Sequence, residues 1–208
     1  AGRDDGEGIC LAYYSYKDVE KLEKFLSGKP VAEQEIGFAL LQEVVAYAET
    51  SMSRRKFLLH YCGEVFDNGT GEGGDMDDNV RNPKVKVEAQ KQVVKLLEVV
   101  RDTKHIYKSK EVVFTLIGRV NAIIKAHRTD VQSFFGSGTD HDEKFWMALL
   151  RQVLVDGLLS KDIETYGVVK ITKKGLDFIK KPSSFMMSED HEYNESEDEA
   201  IVTAAKGT

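Results

Sequence analysis

The sequence predicts a mainly α fold with a small β component: a strand and helix, a helical hairpin, then three helices closed by a β-hairpin. Three observations predict it. Apolar residues recur at spacings of three and four over Val31–Ala48 and again from Asp142 to Leu158, the period of an amphipathic helix. Two short alternating runs flank Tyr166 and Gly167 in SKDIETYGVVKIT, the pattern of a β-hairpin. Charge is also segregated, although the 208 residues sum to only −6. Residues 84–182 carry 19 Lys and Arg against 12 Asp and Glu, whereas residues 1–83 carry 9 against 16 and residues 183–208 one against seven.

Each element follows in order. Residues 8–16, GICLAYYSY, are rich in β-branched and aromatic residues and predict a buried strand, with Cys10 in the core. Asp18 is placed to cap the helix VEKLEKFLSG, which stops at Gly28 before Pro30. In Val31–Ala48 the apolar stripe is Ile36, Leu40, Leu41, Val44, Val45 and Ala48. Ser51 or Ser53 caps a second helix to Tyr61, and the two helices form a hairpin. Residues 67–83 are Gly- and Asp-rich and predict a loop, with Asp75, Asp77 and Asp78 in a solvated turn rather than around a magnesium ion.

From residue 84 a helix of about five turns presents Val93, Leu96, Leu97 and Val100. Ser109 caps the next helix, EVVFTLIGR, and the Gly-rich turn FGSG precedes the helix from Asp142, whose apolar positions include Trp146, Leu149 and Val153. The β-hairpin and a last helix, LDFIKK, complete the block before Pro182. Three helices and a hairpin in a basic block is the order of a winged helix, and the charge is the footprint of nucleic-acid binding. Residues 188–199, SEDHEYNESEDE, are acidic and poor in apolar residues, which predicts a disordered linker.

Composition excludes several classes. At 41% apolar and 31% charged, the chain is that of a globular domain, and no apolar run approaches the 18 residues of a membrane span. Cys10 and Cys62 are the only thiols and read as small hydrophobes rather than as a disulfide or a nucleophile. The five His show no ligand spacing.

The run SRRKFLLHY..GE followed by DMDDN..NP resembles the zinc-binding subdomain of RecQ-family DNA helicases. AGRD at the start resembles the second half of helicase motif VI, GEGICLAYYSYKDVEKLEKF the last strand and helix of the second RecA-like domain, and FFGSG…DEKFWMALLRQVLVDGLL the RQC winged helix. On this resemblance residues 1–30 are the tail of a RecA-like domain, 31–83 the zinc-subdomain equivalent, 84–182 the RQC winged helix and 183–208 the linker. The family's first zinc ligand falls on Ser53 and its last two on Asp77 and Val80, with Gly or Asp in the region of the remaining one. Structural zinc needs four Cys or His ligands, so zinc is expected to be absent.

The resemblance implies a piece of a cytoplasmic, nucleoid-associated, ATP-dependent 3′–5′ DNA helicase acting in repair, recombination and replication. ATP and magnesium belong to the parent, in which Arg3 takes the place of the motif VI arginine finger. The chain has no G-x-x-x-x-G-K-[ST] and no DEAH-like run, so it is expected to hydrolyse no ATP by itself. It is expected to be a DNA-binding monomer. Candidate DNA contacts are Ser109 and Lys110 at one helix start; Ser137, Thr139 and Lys144 around the Gly-rich turn; and Lys161, Lys170, Lys173 and Lys174 about the hairpin. Asp140, Asp142 and Glu143 count against a phosphate at the second of these places. Tyr166 at the hairpin tip either stacks on a terminal base pair at a junction or packs on its own sheet. Arg54, Arg55 and Lys56 are expected to supply one or two salt bridges to the preceding acidic domain. Two other readings stay open: a winged-helix transcription regulator, and a docking platform for the acidic C-terminal tail of single-stranded DNA-binding protein.

Overall fold

A computed structural model describes residues 8–64, 77–162 and 167–191. Arg3, Asp75, Tyr166 and the segment 192–208 lie outside the described residues. The described chain divides into two compact units, one of residues 8–49 with His191 and one of residues 50–190.

In the first unit α1 (Tyr16–Ser27) packs on α2 (Val31–Glu49) across the short turn at Gly28–Pro30. The approach is close enough that a Cβ on Gly37 would sit 2.4 Å from Leu26 Cδ2. Tyr14 Oη donates to Glu49 Oε1 at 2.8 Å, holding the residues before α1 to the end of α2. Residues 8–15 form no strand: Ile9, Leu11, Tyr13 and Cys10 are exposed, because no neighbouring strand among the described residues offers a ladder. Ser15, not Asp18, stands at the N-cap of α1, and Asp18 instead pairs with Lys21. The α2 stripe is only partly covered, with Leu41 buried but Ile36, Leu40 and Val44 exposed. The partner of α2 is thus α1, and the expected hairpin of α2 with the next helix divides between the units.

The second unit opens with α3 (Arg54–Tyr61), capped by Ser53, whose side chain accepts from Lys56 N. Phe57 is buried, and Lys56 Nζ reaches Asp156 at 2.8 Å. Arg54 pairs with Asp78. Both salt bridges therefore stay within this unit, contrary to the partner expected in the acidic domain. The described part of the residues read as a loop, 77–83, contains a helical turn, α4 (Asp78–Arg81), and Asp77 is buried as its N-cap rather than solvated.

The winged-helix block begins earlier in β structure than expected. Strand β1 (Lys86–Glu88) precedes α5 (Gln90–Asp102), so the helix has 13 residues, fewer than the five turns expected. Then come α6 (Ser109–Ile117), α7 (Ala122–Ala126), a 3-10 turn at Thr129–Val131 and α8 (Glu143–Val155). The hairpin is β2 (Leu159–Asp162) and β3 (Val168–Ile171), antiparallel with Leu159 opposite Ile171 and Asp162 opposite Val168. Helix α9 (Lys173–Lys180) follows, and β4 (Met186–Ser188) returns to pair with β1, Val87 opposite Met187.

The core is the face predicted by periodicity: Val93, Leu96, Leu97 and Val100 of α5 meet Trp146, Leu149 and Val153 of α8, with Leu159 and Val169 from the hairpin. Trp146 Nε1 donates to Gly138 O at 2.7 Å, and a Cβ on Gly138 would stand 2.7 Å from the indole, so only glycine fits there.

Residues 183–190 are not linker. Phe185 and Met187 are buried, Gln152 Nε2 donates to Ser188 O at 2.7 Å, and Ser188 N donates back to Gln152 Oε1 at 3.1 Å. Arg151 Nη1 meets Asp190 Oδ2 at 2.7 Å. Burying Met187 contributes about 1.5–3 kcal/mol, enough to carry a short strand that its acidic neighbours disfavour. No helix among the described residues is long and apolar enough to cross a membrane.

Candidate nucleic-acid interface

The hairpin has a third participant. Val169 N donates to Tyr107 O at 2.9 Å and Lys108 forms an antiparallel bridge with Val168, so residues 107–108 line the edge of β3 away from β2. Tyr107 is fully buried and its hydroxyl shares a hydrogen bond with Thr129 Oγ1, which anchors this arm in the core. Helix α6 starts from the arm. Its N-cap is Lys108, without a side-chain cap bond, and Ser109 is the first helical residue rather than the cap. The leading backbone N–H groups therefore keep their partial positive charge. Lys110 is exposed, its ammonium 5.4 Å from the Phe114 ring centroid. Glu111, the acid of this turn, is buried and accepts from Asn121 Nδ2 at 3.2 Å, which turns its charge away from solvent.

At the other end of β3 the chain enters α9. Thr172 caps it, accepting from Gly175 N at 3.1 Å, and Gly175 is required because a Cβ would lie 2.2 Å from Leu158 O. Lys173 and Lys174 fill the first turn, which contains no acidic residue. Cations at a helix N-terminus oppose the macrodipole by about 0.3–1 kcal/mol each, a local cost that an external anion reverses. Lys174 Nζ donates to Asp156 O at 2.6 Å, while Lys173 and Lys108 have no ion-pair partner among the described residues. Lys170 pairs with Asp162 across the hairpin, and Lys161 is exposed on β2.

The structure thus brings two separately predicted sets together. From Lys108, opposite Val168, the backbone of β3 leads in five residues to Lys173, a span of about 17 Å at strand rise. That is about five base-pair steps of B-DNA. Lys108 was not among the residues singled out from the sequence. The run Lys-Ser-Lys before an apolar helix was the available signal, but its proximity to the hairpin exists only in the tertiary pairing.

The Gly-rich turn stands apart. Asp142 Oδ1 accepts from Phe145 N at 2.8 Å and so occupies the α8 N-terminus. Asp140 pairs with Lys95 and Glu143 with Arg119. Burial works to raise the Asp140 carboxyl, but Lys95 outweighs it and holds the group below the usual carboxylate range. Ser137 Oγ is buried without a partner and Thr139 is exposed. Lys144 is exposed and feels the carboxylate of Asp190. The α8 N-terminus is therefore closed by its own cap, and Ser137, Thr139 and Lys144 lie at the opposite end of α8 from the hairpin.

A separate cavity of about 390 Å³ lies between the α5–α6 connection and the 3-10 turn, with Lys104, Ile106, His127 and Phe134 in its wall. Asp102 also lines it, with its carboxylate held by Arg101 Nε at 2.7 Å.

Comparison with known proteins covers both units. Residues 83–196 match the RQC domain family, and residues 16–79 match the RecQ zinc-binding family. The chain is 26% identical over 196 residues to a putative ATP-dependent RNA helicase of Acanthamoeba polyphaga mimivirus, covering 86% of this chain and 35% of the relative. It is 27% identical over 168 residues to the ATP-dependent DNA helicase RecQ of Pasteurella multocida, covering 77% and 25%. It is 25% identical over 191 residues to the ATP-dependent DNA helicase Q-like 4B of Arabidopsis thaliana, covering 81% and 16%. The chain therefore spans between about a sixth and a third of the length of these relatives.

Proposed function

Since this chain belongs to the RQC domain family and is a RecQ-type C-terminal region, we propose that its winged helix grips duplex DNA at the junction with single strand. The observation that carries the reading is the array from the α6 N-terminus along β3 to α9, where Lys108, Lys110, Lys173 and Lys174 and two helix N-termini lie in succession. Ammonium groups and free backbone N–H groups bind phosphate oxygens without reading bases. Binding then has weak sequence preference and a steep salt dependence, because each neutralised phosphate releases condensed counterions.

In the parent helicase this grip holds the duplex while a motor with ATP and magnesium pulls one strand. Arg3 reaches the nucleotide there, and Tyr166 stacks on the pair being opened. The work is that of 3′–5′ unwinding in repair, recombination and replication, at the nucleoid. A fluorescence titration with a fork, a blunt duplex and duplexes of unrelated sequence tests the reading. Tightest binding to the fork, with the unrelated duplexes equal to one another, supports it. Preference for one duplex sequence over the fork favours a transcription regulator instead.

The cavity beside α5 favours a second, compatible reading. Lys104 beside Ile106 and Phe134 offers a cation next to an apolar wall, with the one acid of the lining neutralised by Arg101. This suits the acidic, apolar C-terminal tail of single-stranded DNA-binding protein. Displacement of a labelled tail peptide by Lys104→Glu, with fork binding retained, supports this docking role.

A further inference from the structure

Residues 50–82 contain a polar centre away from the DNA array. The family that matches this stretch is defined by zinc, yet the side chains at its ligand positions here have other commitments. Ser53 Oγ donates to Asp77 Oδ2 at 2.8 Å and accepts from Lys56 N at 3.3 Å. Asp77 Oδ2 also accepts from Arg55 N at 3.3 Å, and Asp77 Oδ1 accepts from Asn79 N at 3.0 Å. Asn79 Nδ2 in turn donates to Thr50 O at 2.8 Å and to Met52 O at 2.7 Å. Outside this core Arg54 holds Asp78 through two bonds, at 2.7 and 3.0 Å. Thr50, Ser53, Asp77 and Asn79 are all buried, and Val80 has no donor atom.

Zinc does not fit this set. It requires thiolate or imidazole in a tetrahedron, and no group of three or more His, Cys, Asp or Glu among the described residues is placed to hold a metal. The available carboxylate of Asp77 already accepts from one hydroxyl and two amides. Buried polar atoms satisfied in this way lose stability when any partner is exchanged for a metal that lacks ligands.

We infer that a hydrogen-bonded clasp centred on Asp77 replaces the metal as the staple of this subdomain, tying the chain at Asp77–Asn79 to Thr50–Arg55 across a loop of more than twenty residues. A metal staple and a polar staple act alike on the chain, since each closes the same loop and limits the unfolded ensemble. They differ in what breaks them. The clasp has no thiolate to oxidise and nothing for a chelator to remove, but it depends on one carboxylate.

The test uses the full chain, produced in zinc-supplemented medium and purified without chelator. Elemental analysis should find well under one zinc per chain, and excess chelator should leave the melting temperature where it was. Asp77→Ala should lower melting by about 4–8 °C, the effect of orphaning buried donors in a chain of this size. Ser53→Ala removes one donor to Asp77 together with the α3 cap acceptor and, if the Asp77 variant fails to fold, reads the staple as a fall of about 2–4 °C beyond that of Ser53→Thr, which keeps both bonds. One tightly held zinc, melting lowered by chelator, or both variants melting with the parent chain would overturn the inference.

Discussion

Lys108 stands opposite Val168, on the edge of β3 that β2 does not cover, while its neighbour Tyr107 accepts a hydrogen bond from Val169 N. One backbone arm therefore joins the start of α6 to the hairpin, and the two cannot move independently without breaking main-chain bonds. On the proposed reading, phosphate contacts from both would share this frame, which would lower the entropic cost of binding.

The first prediction compares the two ends of that frame. Lys108→Ala with Lys110→Ala should weaken binding to every duplex alike, and so should Lys173→Ala with Lys174→Ala. Each pair should lower the slope of log affinity against log salt by about two, at roughly 0.9 per phosphate. Lys144→Ala, at the far end of α8 from β2, should leave the slope unchanged. Anisotropy titrations at several salt concentrations measure all three, and a slope that depends on Lys144 alone would move the interface to the Gly-rich turn.

Tyr166→Ala should act differently. Stacking on a terminal base pair, worth about 1–3 kcal/mol, operates only where a pair is opening. Duplex binding should survive while unwinding falls once the chain is joined to its motor. Unwinding at the parental rate would make Tyr166 a packing residue.

Acid should loosen the subdomain before it loosens the winged-helix core. The hydrogen bond from Arg54, with its positive charge, holds the Asp78 carboxyl below its ordinary value against some desolvation. A carboxyl with a lowered folded pKa stabilises the fold above the unfolded pKa, near 3.8, and loses that contribution as pH falls through the lower folded value. Arg54→Ala should abolish this part of the acid dependence. Because Asp78 is more than half exposed, the effect should be small and salt-sensitive. Melting curves below pH 4 in low and high salt provide the check.

Gly138→Ala should destabilise the winged helix by about 1–3 kcal/mol, since the new methyl must displace the Trp146 indole or the turn that carries it. Trp146 fluorescence during urea unfolding reports it directly. An unchanged midpoint would mean that the turn relaxes freely, contrary to the amide bonds from Gly136 N to Thr115 O and Gly138 N to Leu116 O.

Much of the architecture was legible because its signals are local. The three- and four-residue spacing in α5 and α8 decides which faces enter the core, and Val93, Leu97, Trp146 and Leu149 are buried as that spacing requires. Alternation around Gly167 likewise foretold the strands β2 and β3. Composition misled where a local signal needed a distant partner. GICLAYYSY has the residues of a strand but finds no ladder among the described residues, while Phe185–Asp190, next to an acidic run, is drawn into the fold by β1 and α8.

The sequence by itself determined the longer helices, the β-hairpin, the basic block and the family, each of which rests on the identity and spacing of neighbouring residues. Only the tertiary structure decided which cations stand together and which are spent. Lys108 meets the hairpin through a bridge to a residue sixty positions away, and Ser53 meets Asp77 across 24. It also showed that Lys170 is already paired and that the α8 N-terminus is closed by its own acid. Such pairings depend on how packed elements bring distant backbone into register, and hydrophobic periodicity carries no information about that register.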